Sequence, residues 1–345
     1  MIRFNNDYNH TAHEKVLEAV MNTRSGSYGG YGEDEWCRKA ADVIKDLIAS
    51  PDAAVYFLPG ATQANFIVCA AALRPIESVI CADSGHIFCH EAGSVENTGH
   101  KLIALPGKDG KISAEQIAAE AAGYYEEGEM EYLTIPRMVY ISFSTEWGTI
   151  YSKKEIQEIS GVCRKYGMLL FVDGARMGYG LGAEENDMTL KDFAELTDVF
   201  YIGGTKCGAM FGEALVVVNQ KLQKGFRSYM KQNGAVLAKG WLLGLQFYTL
   251  LQDDLYFQIT GRADGLAVRI REAFKAKGIP MYVESPTNQQ FVLLTDDQMR
   301  QLEKDYIFEF IMKTPDRLNC VRFCTGWNTT REEADCLIRS IEALN

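Results

Sequence analysis

Two short apolar runs in this chain lead into polar residues that could do chemistry. Leu170-Phe171-Val172 enters Asp173-Gly174-Ala175-Arg176, and Val199-Phe200-Tyr201-Ile202 passes through Gly203-Gly204-Thr205 to Lys206. Open α/β sheets bind ligands beyond the carboxyl ends of their parallel strands, so two neighbouring strands of this kind put Asp173, Arg176 and Lys206 around one crevice. A lysine that can form a Schiff base and an acid that keeps a ring nitrogen protonated suit pyridoxal 5'-phosphate. Lys206 is the expected Schiff-base residue and Asp173 the ring-nitrogen partner. Taken alone, Asp-Gly-Ala-Arg also reads as a structural ion pair beside a turn. Gly203-Gly204 serves either the wall of a flat cofactor or a plain tight turn.

Three further segments carry chemical potential. Gly60-Ala61-Thr62 stands where a strand turns into a helix, so free amides of the first helical turn could hold a phosphate. In His86-Ile87-Phe88-Cys89-His90-Glu91 the histidines at i and i+4 could grip a metal, but the order is not HExxH and no third ligand follows at a recognisable spacing. Ring stacking or acid–base work by His86 is the better reading, and His10, His13 and His100 read as surface residues. Ser27-Tyr28-Gly29-Gly30-Tyr31-Gly32-Glu33-Asp34 is too rich in glycine for a helix and too aromatic for a linker, which suggests a binding loop.

The elements that must position these groups alternate. Helical spacing is found over Glu33 to Ala49, Thr62 to Leu73 and Ser152 to Tyr166. Buried strands are expected at Ala54 to Leu58, Ser78 to Cys81, Met138 to Ile141, Met168 to Val172, Val199 to Ile202 and Ala214 to Val218. This alternation predicts an α/β fold with a mostly parallel central sheet flanked by helices. Helices near 236–251 and 259–277, strands at 290–294 and 319–323, and a closing helix then predict a smaller C-terminal α+β domain. The division is a large domain over 1–250, including the N-terminal arm, and a small one over 251–345, joined by the helix near 236–251.

The chain has 345 residues, 47% hydrophobic and 23% charged, as in an ordinary globular protein. A net charge of −11 argues against nucleic acid or an acidic membrane surface and favours a small-molecule substrate. No apolar run reaches the roughly 20 residues of a membrane span, and the N-terminus lacks the apolar core of a signal peptide, so a cytoplasmic location is expected. The nine cysteines are scattered without CxxC spacing, which favours reduced core thiols.

Taken together the motifs resemble the L-threonine aldolases of the fold-type-I pyridoxal-phosphate enzymes, also grouped as β-eliminating lyases. The resemblance spans nearly the whole chain. It rests on Asn6-Asp7, Tyr31-Gly32-Glu33-Asp34, Phe57 to Asn65, Asp83-Ser84-Gly85-His86-Ile87 with Glu91, Asp173-Gly174-Ala175-Arg176, Gly203-Gly204-Thr205-Lys206 and Val321-Arg322-Phe323. It implies cleavage of L-threonine, L-allo-threonine and related β-hydroxy-α-amino acids to glycine and an aldehyde. Lys206 and Asp173 keep the roles given above. By the same resemblance Arg176 lies near the ring's phenolic oxygen, His86 stacks on the ring and serves as base for the hydroxyl proton, and Gly60, Ala61 and Thr62 hold the phosphate. Asn6 and Arg322 hold the substrate carboxylate, and Tyr31 enters a neighbouring subunit's site in a homodimer or homotetramer. Lys231 and Lys239 are the candidates for a basic group on the phosphate. Two departures stand out. Ala61 replaces a usual glycine, and Ser142-Phe143-Ser144-Thr145-Glu146 replaces Glu-Asn-Thr-His-Asn, whose histidine is proposed to meet the substrate hydroxyl. The alternatives are a pyridoxal-phosphate β-eliminating lyase or aminotransferase on another amino acid, a metal-dependent hydrolase using His86 and His90, and a binding protein without activity.

Overall fold

The computed structural model describes residues 1–126 and 130–344. Its strands, in chain order, are β1 (Ile2–Arg3), β2 (Ala54–Leu58), β3 (Glu77–Ala82), β4 (Lys101–Leu105), β5 (Ile135–Ser142), β6 (Leu169–Asp173), β7 (Val199–Gly203), β8 (Glu213–Val217), β9 (Met281–Val283), β10 (Gln289–Leu294), β11 (Tyr306–Ile307), β12 (Glu309–Lys313) and β13 (Asn319–Cys324). Seven of them form the main sheet in the order β2-β8-β7-β6-β5-β3-β4. All pairings from β7 to β4 are parallel, and β8 alone runs against both its neighbours. The sheet is therefore mostly parallel, as expected.

Every residue of β3, β6, β7 and β8 is buried, because helices cover both faces. Successive side chains point to opposite faces, so Leu170, Val172, Phe200 and Ile202 enter one apolar cluster while Leu169, Phe171, Val199 and Tyr201 enter another. Fully burying one such side chain contributes about 1.5–3 kcal/mol. Helix ends are fixed locally: Ser152 caps Lys153–Tyr166 with a reciprocal bond from Glu155, and Asp34 caps Glu35–Leu47.

A four-stranded antiparallel sheet, β12-β13-β10-β9, makes the smaller unit. The N-terminus joins it, since β1 pairs with β11 and Phe4 packs with Phe323 and Leu337 in the third apolar cluster. The helix expected to join the two units starts later, at Trp241, and its Phe247, Leu250 and Leu251 lie wholly within the large core. The bridge is instead the next helix, Leu255–Ala276. Its Tyr256, Ile259 and Ala263 pack on the large core, and Leu266, Ile270 and Phe274 pack on the small one.

Nine cysteines are free, and seven of these are buried. His100, expected at the surface, is 4% exposed and bonds Thr98 through its ring. No described helix is long and apolar enough to cross a membrane.

Candidate active site

Asp173 ends β6 and pairs in register with Ser142 at the end of β5, while Lys206 follows β7 by three residues. The carboxyl ends of these adjacent strands open into a cleft of ≈ 1190 Å³. Gly60, Ala61, Thr62, His86, Asp173, Arg176, Lys206 and Arg322 all line it.

Asp173 is 4% exposed. Its Oδ1 accepts the Ala175 N–H at 2.9 Å, and its Oδ2 accepts the Tyr140 hydroxyl and Asn65 Nδ2. Burial raises its carboxyl, but the charge of His86 and the Tyr140 hydroxyl outweigh that and hold it below the ordinary value. Asn65 Nδ2 also donates to Glu91 Oε1 at 2.7 Å, and the same oxygen bonds His86 Nδ1 at 2.7 Å. Burial disfavours a charged His86 ring; the bond to Glu91 and the charge of Asp173 prevail, and its pKa is raised. The Glu91 carboxylate thus holds the His86 ring and favours its protonated form.

The Lys206 amine has no hydrogen bond or ion pair among the described residues, and it lies over the Tyr8 ring, 6.0 Å from its centre. Burial and then the Arg176 charge lower its pKa, against the pull of Asp7, Asp173 and Glu213. A lysine so placed loses its proton more readily and becomes a nucleophile. Glu213 accepts from Thr205 Oγ1 at 2.7 Å and the Gly204 N–H at 3.0 Å, and burial pushes its carboxyl up to about 8.

Gly203 and Gly204 have a packing reason that differs from a cofactor wall. A Cβ on Gly203 would lie 2.4 Å from the Ala175 carbonyl oxygen, and one on Gly204 2.6 Å from that of Gly212. The strand ends touch backbone to backbone there. Gly60 is the opposite case, because a Cβ there would meet nothing within 4 Å. It precedes the helix Ala61–Ala72 without a side-chain cap, so the first amides of that helix face open space.

The ion pair of Arg176 is with Asp7, across 169 residues: Nε to Oδ2 at 2.8 Å and an amino group to Oδ1 at 3.1 Å. Burial raises the Asp7 carboxyl, but Arg176, Lys206 and Asn288 hold it at about 2. Because the folded pKa is depressed, the pair's stabilisation is complete above about pH 4 and is lost as pH falls towards 2. Asp7→Asn is expected to cost about 3 kcal/mol at pH 7, where Arg176 is left buried and unpaired. Urea unfolding of parent and variant should give curves that converge between pH 4 and 2, and a gap that persists unchanged to pH 2 would contradict this.

Arg322, on β13, donates to the Asn5 carbonyl, Gln289 and Glu309, and its buried Nε has no partner among the described residues. Asn6 does not line the cleft. Its Oδ1 accepts the Tyr8 N–H in a local turn, and Tyr8 lines the cleft in its place. Tyr31 is also absent from the lining; it is 50% exposed, with Lys231 Nζ 4.7 Å from its ring centre. Neither Lys231 nor Lys239 lines the cleft. His86 and His90 do not build a metal site: the helix at His86–Cys89 is a single turn, Glu91 holds the His86 ring, and no group of three potential metal ligands exists among the described residues.

The donor set fits pyridoxal phosphate. It combines an unpaired amine, a buried carboxylate at the next strand end, and an open helical N-terminus for an anion. The sequence pattern of the beta-eliminating lyases matches residues 7–299. The chain belongs to that family. It is 28% identical to the low specificity L-threonine aldolase of Pseudomonas aeruginosa over 331 residues, covering 94% of this chain and 92% of the relative. The Leishmania major threonine aldolase structure superposes with a TM-score of 0.96 at 40% identity, covering 99% of each chain. Thermus thermophilus aspartate aminotransferase, at 14% identity and a TM-score of 0.71 over 99% of this chain and 91% of that one, shares the fold. The protein is a pyridoxal-phosphate-dependent lyase of fold type I.

Several site residues were quoted in motifs without a role. Asn65 and Glu91 form a buried chain from Asp173 to His86, Asp7 neutralises Arg176, and Glu146 lines the cleft. A buried polar residue inside an apolar stretch, such as Asn65 among Ala64, Ile67 and Val68, is the signal that could have found one of them.

Proposed function

We propose that this enzyme cleaves L-threonine, L-allo-threonine and related β-hydroxy-α-amino acids to glycine and an aldehyde, working in the cytoplasm. One observation carries the reading: the free Lys206 amine and the buried Asp173 carboxylate end adjacent strands in one cleft, in a chain 40% identical throughout to a threonine aldolase. Pyridoxal phosphate, when bound, supplies an electron sink for the pair released as Cα–Cβ breaks. Lys206 Nζ is the atom that bonds the cofactor. Asp173 holds the proton on the ring nitrogen, Arg176 lies by the phenolic oxygen, His86 stacks on the ring, and the amides of Gly60, Ala61 and Thr62 hold the phosphate. Arg322, which lines the cleft, would fix the substrate carboxylate and so orient the bonds at Cα; Asn6, outside the lining, would not reach it. The cleft lies between a large domain over 1–250 and a small one over 251–345.

The test is to incubate the purified enzyme with a panel of β-hydroxy amino acids and measure glycine and aldehyde. Equimolar release supports the reading, whereas the corresponding 2-oxo acid and ammonia in their place would favour β-elimination.

Tyr31 serves the site of a second subunit. Its exposure, outside the cleft of its own chain, supports this. Mixing inactive Tyr31→Ala with inactive Lys206→Ala subunits is expected to restore activity in proportion to hybrid formed, since each hybrid dimer holds one site with both residues. Verified hybrids without activity would place Tyr31 outside the partner's site.

A further inference from the structure

Thr145, in the stretch Ser142 to Glu146 that departs from the family pattern, faces away from the cleft. It is fully buried, its Oγ1 lies 2.7 Å from Thr149 Oγ1, and it does not line the cavity. The next side chain does. Glu146 Oε1 accepts the His86 backbone N–H at 2.9 Å and the Ser142 hydroxyl at 2.7 Å, which fixes the carboxyl in one orientation at the cleft wall. No donor among the described residues reaches its Oε2. Beside it Ser144 lines the same cleft, and its buried hydroxyl has no partner among the described residues. One carboxylate oxygen, Glu146 Oε2, is thus left for a ligand on the wall next to His86.

We propose that Glu146 is a catalytic residue of the cleavage reaction, with Oε2 exchanging a proton with the β-hydroxyl oxygen of the substrate. This rests on the aldolase reading above. In cleavage the hydroxyl proton moves to Oε2 and the O–H electron pair becomes the second bond of the aldehyde carbonyl. The Cα–Cβ pair stays on Cα, which takes up a proton to give glycine, and Oε2 returns its proton to water. No oxidant or reductant is needed. Burial, and then the charge of Asp173, raise the Glu146 pKa against the lowering effect of the Ser142 and backbone hydrogen bonds, the direction that makes a carboxyl a better proton acceptor. His86 Nδ1, by contrast, is already engaged by Glu91 at 2.7 Å.

Glu146→Gln keeps the oxygen that accepts from His86 and Ser142 and replaces only Oε2, so the fold should be retained. In the loaded enzyme the variant should cleave β-hydroxy amino acids about 10²–10⁴-fold more slowly, the range for loss of a general acid–base group. Exchange of the glycine Cα proton with deuterium, which involves the same cofactor but no hydroxyl, should stay within a few-fold of the parent. A second readout uses cofactor-free protein with ¹³C-labelled glutamate. The carboxyl resonance missing from Glu146→Gln should titrate above about 4.3, the usual glutamate value. The titratable and charged groups sharing its cleft are Tyr8, His86, Cys89, His90, Asp173, Arg176, Lys206, Glu213 and the Arg322–Glu309 pair. Unchanged cleavage in Glu146→Gln, an equal loss of cleavage and glycine exchange, or a resonance titrating at or below about 4.3 would each overturn the proposal. Absence of cleavage in the parent enzyme would instead overturn the aldolase reading on which it rests.

Discussion

Lys206→Ala is expected to lower turnover by at least about 10³-fold, because on the proposed reading its amine is the group that would bond the cofactor. The cause lies in its surroundings. Burial and the Arg176 charge lower its pKa, and no carboxylate takes its Nζ as a salt-bridge partner among the described residues, so the amine is kept for chemistry. Folding should be little affected, since removing it strands no hydrogen-bonded group. Steady-state glycine release by parent and variant, both incubated with excess cofactor, measures the effect. A loss below tenfold would mean that another amine can serve.

Asp173→Asn is the second large effect, expected at about 10²–10³ in kcat. A buried charge-assisted hydrogen bond is worth about 1.5–3 kcal/mol, more where its partner is left charged and unpaired, and each 1.36 kcal/mol is tenfold in rate. The variant also has a structural cost. Tyr140 and Asn65 donate to one oxygen and Ala175 to the other, so an amide NH2 at either place meets a donor. That mismatch should cost about 1–3 kcal/mol of stability. Denaturation of the cofactor-free proteins separates it from the kinetic effect, and near-normal kcat in a stable Asp173→Asn protein would make Asp173 structural only.

What the sequence made legible was local. Strands β6 and β7 are five-residue apolar runs that break into polar residues, and both the period and the break lie within a few positions of Asp173 and Lys206. What it hid depends on contacts distant in sequence. β1 and β11 are two residues long and exist only because they pair across about 300 positions, so neither carries a pattern of its own. The same holds for Arg176, whose partner Asp7 belongs to the N-terminal segment. Side-chain direction is the other source of error. Thr145 and Glu146 are adjacent, yet one turns into the core and the other faces the cleft, a difference that residue types and spacing do not carry. Asn6 and Tyr8 are a second instance, where a local turn at Asn6 leaves Tyr8 to line the cavity.

The central claim is that Lys206 bonds pyridoxal phosphate, with Asp173 at the neighbouring strand end. Borohydride reduction of the loaded enzyme followed by peptide mapping tests it most directly, because reduction fixes the cofactor to whichever amine held it. A phosphopyridoxyl group on Lys206, with loss of the yellow colour and of activity, is the predicted result. The label on any other lysine, or no label in a colourless protein, would contradict it.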